Sequence, residues 1–358
     1  MKLLCLTAPE EDYLADGLLI GLRSLLGPSC IDYPRQDILY ANCPGSVRAQ
    51  VRGGGFTLYG GPLEDIAVDR SRIQSKLQQG FFDLVVFSNI WRQFGLFTQW
   101  RPYLNRANTI VLDGEDTPQP YPAAGQYWRR LCYWFLPRAH REFLYFKREW
   151  TPDTQFNLWH RLLPKSWRRV LPQSRNLRPI SFSIPPQKIV QRLPEKSKLL
   201  PRHIVDPEVA ERVPESRTAY AFSTEAEYYA DLQASKFGIT TKRAGWDCLR
   251  HYEIAANGCV PCFRNLHLKP NTCAPHGLEP GVNCLSYRDG NDLFQQTKGC
   301  DAQVYAKLAA GALAWARANT TVERAKQILT EWRRLADGNA LTSYERQLRS
   351  TTAASTPE

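Results

Sequence analysis

No stretch of this sequence approaches the roughly 18 consecutive apolar residues that a membrane span requires, so an integral membrane protein is not expected. A secretory signal is missing too, because the apolar start "MKLLCLTAPEED" turns acidic before an h-region can form. There is no internal repeat, no low-complexity tract despite 25 prolines, and no recognised nucleic-acid-binding module. What these absences leave is a soluble globular protein, expected in the cytoplasm with most of its ten cysteines reduced.

The 358 residues, 43% hydrophobic and 11% aromatic, are enough for about two domains with real cores. The net charge of +11 is unevenly spread. Residues 126–202 carry 17 Lys and Arg against Glu142, Glu149, Asp153 and Glu195, a net +13, which leaves the remainder at −2. A single basic segment facing phosphates, anionic lipid or a polyanion is implied, not a nucleic-acid-binding surface over the whole protein.

Apolar runs alternate with helical patterns through the first half. "KLLCLT", "LVVFS" and "NTIVLD" read as strands buried on both faces, with helices after "APEED", over 63–79 and over 92–104. This rhythm predicts a doubly wound α/β domain over 1–150. Prolines and basic residues then break the pattern over 151–217, a connecting region that leads into the second domain; "ISFSIP" is its one candidate strand. An α/β rhythm returns over 218–336. There "TAYAFS", "KFGITT" and "CVPCFRN" read as strands, "EAEYYADLQAS" and "GWDCLRHYEIAAN" as helices, and 301–336 as a long helical pattern. The tail over 337–358 ends in a stretch of disordered character.

Chemistry concentrates in 236–266. Lys242 and Arg243 follow a strand end, and Gly245 then opens a helix whose free N–H groups and dipole favour a phosphate. Glu253 follows Arg250 by three residues, a spacing that lets them pair. A carboxylate at that depth can accept both hydroxyls of a ribose. Asn257-Gly258 supplies a left-handed stop. An ordinary surface helix carries the same residue types, so both readings stand at this point.

The segment resembles the nucleotide-sugar half of GT-B glycosyltransferases, nearest to the spore-maturation-type glycosyltransferase-like and exostosin-like families. Ser235, Phe237, Arg250, Glu253, Gly258, Cys259 and Pro261 carry the resemblance over about 30 residues. It implies two Rossmann-like domains facing a cleft, the acceptor on the N-terminal side, the nucleotide sugar on the C-terminal side, and a C-terminal helix packing back across the boundary. It also implies that the helix glutamate holds the donor ribose and that the glycine turn abuts the donor. Retaining GT-B enzymes have two glutamates eight positions apart. Here Gly245 stands where the first would be, so the stereochemical outcome is left open.

Other candidates have quieter alternatives. The CxxC of Cys259 and Cys262 follows a helix and starts a strand, so its thiols fall on opposite faces, unlike a redox pair at a helix N-terminus. A zinc site would need Cys273 or Cys284 with His267 or His276, at spacings no common ribbon shows. Asp113, Glu115 and Asp116 follow a strand and suit a general base toward an acceptor hydroxyl, or else simply form an acidic turn. His276 and Asn283 lie on a Gly/Pro loop able to close over a donor. The segment 126–150, with nine aromatics and six Lys and Arg, reads as a core strand and helix, a membrane-contacting face or an acceptor groove.

Together these point to a metal-independent glycosyltransferase that needs no cofactor, since its nucleotide sugar is a substrate. Its candidate donor residues are Lys242, Arg243, Gly245, Arg250, Glu253, Asn257 and Gly258, and its candidate catalytic residues are Asp113, Glu115 and His276. The expected partners are the donor, a glycan, lipid-linked or protein acceptor, and an anionic membrane surface, with no specific nucleic acid. The alternative is a non-catalytic GT-B-like protein that holds a polyanion or protein through 126–202.

Overall fold

Six short segments in the first 180 residues pair as one fully parallel sheet in the order β2-β1-β3-β4-β5-β6. They are β1 (Leu3–Leu6), β2 (Cys30–Tyr33), β3 (Leu84–Phe87), β4 (Thr109–Asp113), β5 (Leu144–Lys147) and β6 (Leu177–Pro179). The computed structural model describes residues 1–48, 50–51, 55–122, 136–151, 163–164, 167, 176–219 and 221–336. Residues 126–135 of the aromatic–basic segment, most of 152–175 and the 337–358 tail lie outside the described residues.

Strands β1, β3, β4 and β5 are buried along their whole length, as expected of a parallel sheet covered on both faces. The order reverses between β1 and β3, the switch point where open α/β sheets form a crevice. Helix α1 (Tyr13–Leu26) is capped by Asp12, whose carboxylate accepts from the N–H groups of Leu14 and Ala15, both at 3.0 Å. Helices α2 (Ile73–Gln78) and α3 (Ile90–Trp100) complete this unit, with a few single-turn helices between elements. The 63–79 pattern yields only α2.

The second unit has a three-stranded parallel sheet of β7 (Phe237–Thr240), β8 (Val260–Arg264) and β9 (Leu285–Tyr287). Around it lie α4 (Glu225–Ala234), α5 (Leu249–Ala256), α6 (Gly290–Lys298) and α7 (Ala302–Ala318). A capping box of Thr224 and Glu227 starts α4. The described residues of "TAYAFS" form no strand: Thr218 and Ala219 are exposed bends, and the free edge of β7 is covered instead by residues 198–199, which accept from Lys236 and Phe237. "ISFSIP" is irregular too. It gives only an isolated bridge from Ile184 to Thr320.

That bridge explains why the 301–336 pattern is two helices. The chain stops at Asn319, exchanges backbone hydrogen bonds with Ile184, and restarts as α8 (Thr321–Ala336). Helix α8 lies along α1 of the first unit, its Ala325, Ile328 and Leu329 in one cluster with Leu14, Leu18 and Leu22. Arg178 pairs with Glu331 at 3.0 Å, and Trp332 Nε1 donates to Ala107 O at 2.6 Å. The architecture is the GT-B-like one expected, two parallel α/β units with the last helix returned to the first. Among the described residues no helix is long and apolar enough to cross a membrane.

Contact between α1 and α8 is close at Gly21, where an added Cβ would run into the Thr321 carbonyl. Gly21→Ala is expected to lower unfolding free energy by about 1–3 kcal/mol through overpacking. The exposed mid-helix Gly95, with nothing within 4 Å, should gain about 0.5–1 kcal/mol on change to Ala; urea melts of both variants check this. Buried Asp16 accepts from Gln36 Nε2 and Tyr59 OH, each at 2.9 Å. Burial outweighs these bonds and pushes its pKa from 3.8 to about 7. A carboxyl raised on folding contributes stability at low pH and loses it as pH rises, here from about pH 4 to about pH 7. Asp16→Asn should flatten that part of the stability–pH curve, read from urea midpoints.

Candidate functional site

The carboxyl ends of both sheets meet across an interface built on two consecutive residues just past β5. Arg148, 2% exposed, donates through Nε to Gly114 O at 2.9 Å, through Nη1 to Glu149 Oε1 at 2.9 Å and Asp247 O at 3.2 Å, and pairs with Asp116. Glu149 Oε1 in turn accepts the N–H groups of Trp246, at 2.8 Å, and Asp247, at 3.2 Å. Burial would depress the Arg148 pKa, but Asp247, Glu149 and Asp116 outweigh it and hold it raised.

This corrects the expectation for Gly245. Helix α5 begins four residues later, at Leu249, and the free N–H groups ahead of it already hold an anion, the Glu149 carboxylate. Close approach is indeed required at Gly245, but to the chain itself: a Cβ there would lie 2.5 Å from Glu149 Oε1 and would also meet Asp116. His251, fully buried, links the loop to the sheet, contacting Thr240 Oγ1 at 2.8 Å and Trp246 O at 3.0 Å. Burial drives its pKa down to about 3, so it stays neutral.

Lys242 and Arg243 are exposed on the same loop, Lys242 over the Trp246 ring at 5.7 Å. Arg250 is half-buried on the first turn of α5, and the pKa of His203 is lowered by burial first and then by the charges of Arg250 and Arg243. Glu253, 8% exposed, lies between the units: one carboxylate oxygen accepts from Thr57 of the first unit and the other from Tyr228 OH at 3.0 Å. Its pKa is raised by burial, against the Thr57 hydroxyl, the Arg250 charge and the Tyr228 hydroxyl. The charge of Arg250 reaches Glu253, and Lys242 and Arg243 stand exposed on the loop ahead of their helix.

The remaining candidates fall elsewhere. Asn257 ends α5, donating to Glu253 O at 2.9 Å and accepting from Gln233 at 2.9 Å; it is buried and structural. Gly258 follows at φ 67°, packed on Pro194. Asp113, fully buried, accepts from Lys147 at 2.7 Å and Trp91 at 2.9 Å and from Tyr145. A general base with every face taken cannot receive an acceptor's proton, so that role is withdrawn from Asp113. Glu115 is half-buried at the end of β4, its pKa raised by burial first and then by Asp113. His276 has a buried Nε2 with no hydrogen-bond partner among the described residues, and burial takes its pKa to about 3. Cys259 belongs to an apolar cluster with Phe56, Tyr228 and Ile254, and Cys262 to another with Phe237 and Tyr287. Burial raises both thiols, Cys259 to about 12.

Sequence reasoning missed Thr57, Glu225, Tyr228, Tyr229, Arg148 and Glu149. A signal existed for two of them: "KRE" closing the apolar run "FLYF" puts charge at a strand's carboxyl end. Thr57 lies 196 residues from Glu253, and no local pattern joins them.

No protein-family model and no curated protein matches the chain. Among solved structures, Anabaena HepE in complex with UDP and glucose is similar at 13% identity, over 92% of this chain and 98% of that one, with a TM-score of 0.47. A glycosyltransferase from Rickettsia africae is similar at 10% identity, over 92% and 97%, with a TM-score of 0.48. Acinetobacter baumannii MurG is similar at 12% identity, over 92% and 99%, with a TM-score of 0.39. The architecture stands on the strand order and helix packing described above.

Removing Glu149 would leave a buried guanidinium and two N–H groups short of their acceptor. Glu149→Ala is expected to lose about 3–5 kcal/mol of stability and Glu149→Gln less, measured by denaturant unfolding.

Proposed function

We propose that the chain is a glycosyltransferase that moves a sugar from a nucleotide-diphosphate-sugar donor to an acceptor hydroxyl. One observation carries the reading: the buried Glu253 carboxylate shares a helix with Arg250, directly after two exposed cations at the carboxyl end of β7. In this reading Glu253 takes the ribose hydroxyls, and Lys242, Arg243 and Arg250 meet the diphosphate. As the bond from the anomeric carbon to the diphosphate oxygen breaks, that oxygen keeps the electron pair and the cations stabilise it. The acceptor oxygen forms the new bond and passes its proton to a carboxylate, for which Glu115 is the candidate. A pKa raised by burial suits it to that task.

The finer kinship with the spore-maturation-type and exostosin-like families rests on the residues from Ser235 to Pro261 and belongs to the same proposal. So do a cytoplasmic setting, a glycan, lipid-linked or protein acceptor, contact with anionic membrane through 126–150, and independence from metal. The alternative, a polyanion-holding protein without activity, draws on the 126–202 segment, much of which lies outside the described residues.

A thermal-shift panel of UDP-, GDP- and dTDP-sugars is the test, with UDP-glucose first. At least one donor should stabilise the protein, and EDTA should not change this. Arg243→Ala and Arg250→Ala should each weaken the binding by about tenfold, the scale of one lost charge-assisted bond. Glu253→Ala should abolish it. No shift with any donor sinks the proposal; Glu115→Gln binding normally but turning over slowly would support the assignment of the base.

A further inference from the structure

Each oxygen of the Glu253 carboxylate already holds a hydroxyl, and both come from the chain. Oε1 accepts from Thr57 Oγ1 and Oε2 from Tyr228 OH at 3.0 Å. Two hydroxyls on one carboxylate reproduce the hydrogen-bonding pattern of a vicinal diol, the group this glutamate is proposed to receive.

The first-unit segment that delivers Thr57 is held at several points. The Thr57 N–H donates to Glu225 Oε1 at 2.6 Å, and its hydroxyl lies 2.9 Å from Tyr229 OH. Glu225 is also paired with Lys188 at 2.5 Å, and the neighbouring Phe56 stacks on Tyr228 with ring centroids 6.4 Å apart. Thr57 does this at φ 59°, a left-handed conformation that β-branched residues avoid. An unfavourable backbone state is therefore maintained by contacts with the second unit, and it relaxes if those contacts are given up.

We propose that residues 55–58 form an autoinhibitory latch, with Thr57 occupying the donor's diol position on Glu253 until the nucleotide sugar displaces it. This rests on the glycosyltransferase reading above. The latch makes donor affinity a product of two terms, the intrinsic affinity of the open site and the fraction of molecules in which Thr57 has withdrawn. Weakening the latch raises the second term without touching the residues that bind the donor.

Isothermal titration with UDP-glucose, GDP-mannose and dTDP-glucose distinguishes the possibilities in wild type, Thr57→Ala and Thr57→Gly. Alanine keeps the strained backbone and glycine removes the strain, so glycine covers the case in which alanine disturbs folding. Both variants are expected to bind more tightly than wild type, Thr57→Ala by about tenfold, the scale of one hydrogen bond to a charged group, and Thr57→Gly by less because glycine accepts the latched angle. Adding Glu253→Ala should remove binding in every background. Donor should also speed hydrogen exchange at the Thr57 amide of wild type. If wild type binds a donor and both Thr57 variants bind equally or less well, the latch is overturned and the transferase reading stands. If neither wild type nor either Thr57 variant binds any of the three, both fall together.

Discussion

The join between the two units depends on a charged pair buried at the end of β5. Arg148 reaches the β4 turn at Gly114 and Asp116, while Glu149 accepts the N–H groups of Trp246 and Asp247. Taking such charges out of water is costly unless every donor and acceptor finds a partner. Here the partners come from both units, so the pair is satisfied only when the strand ends face each other. The same requirement dictates a glycine at 245 and delays the start of α5 to Leu249. The N–H groups of Trp246 and Asp247, ahead of α5, are filled by the chain's own carboxylate.

The strap formed by α8 is a second tie between the units. It is apolar along α1 and polar at its rim, where Arg178 meets Glu331 and Gln327 donates to Pro179 O at 3.1 Å. The hinge from α7 into α8 is itself tied down by the exchange between Ile184 and the residues at 319–321. The second unit is thus fixed to the first by a buried ionic contact and by a helix packed against α1. Neither contact involves the exposed Lys242 and Arg243, which remain available to solvent.

How much of this could be read in the sequence follows from the range of each interaction. Apolar runs such as "LVVF" and "TIVLD" appeared as strands because burial on both faces leaves a continuous local signature. Strands β2 and β6 were not seen: β2 contains Asp32, which is buried against Arg23 and Arg70, and β6 is three residues ending in proline. "TAYAFS" had the composition of a strand, but the β7 edge is taken by residues 198–199. Lys242, Arg243, Arg250 and Glu253 could be singled out together since they fall within a dozen residues of one loop and helix. The roles expected of Gly245 and Asp113 failed for a common reason. Their partners, Glu149 and Lys147, come from another strand, and no spacing along the chain reveals that a site is already filled.

Glu149 and Thr57 both reach from the first unit to the neighbourhood of α5, yet they differ in kind. Glu149 brings a charge that holds two N–H groups and a buried guanidinium, and separating it would strand charge in a low-dielectric interior. Thr57 brings a neutral hydroxyl and a disfavoured backbone angle to Glu253. Giving up the first contact strands charge, while giving up the second releases a neutral hydroxyl. Cys259 packs with Phe56, Tyr228 and Ile254, so the conspicuous thiol belongs to the apolar cluster beside the contact of Glu253 with Tyr228.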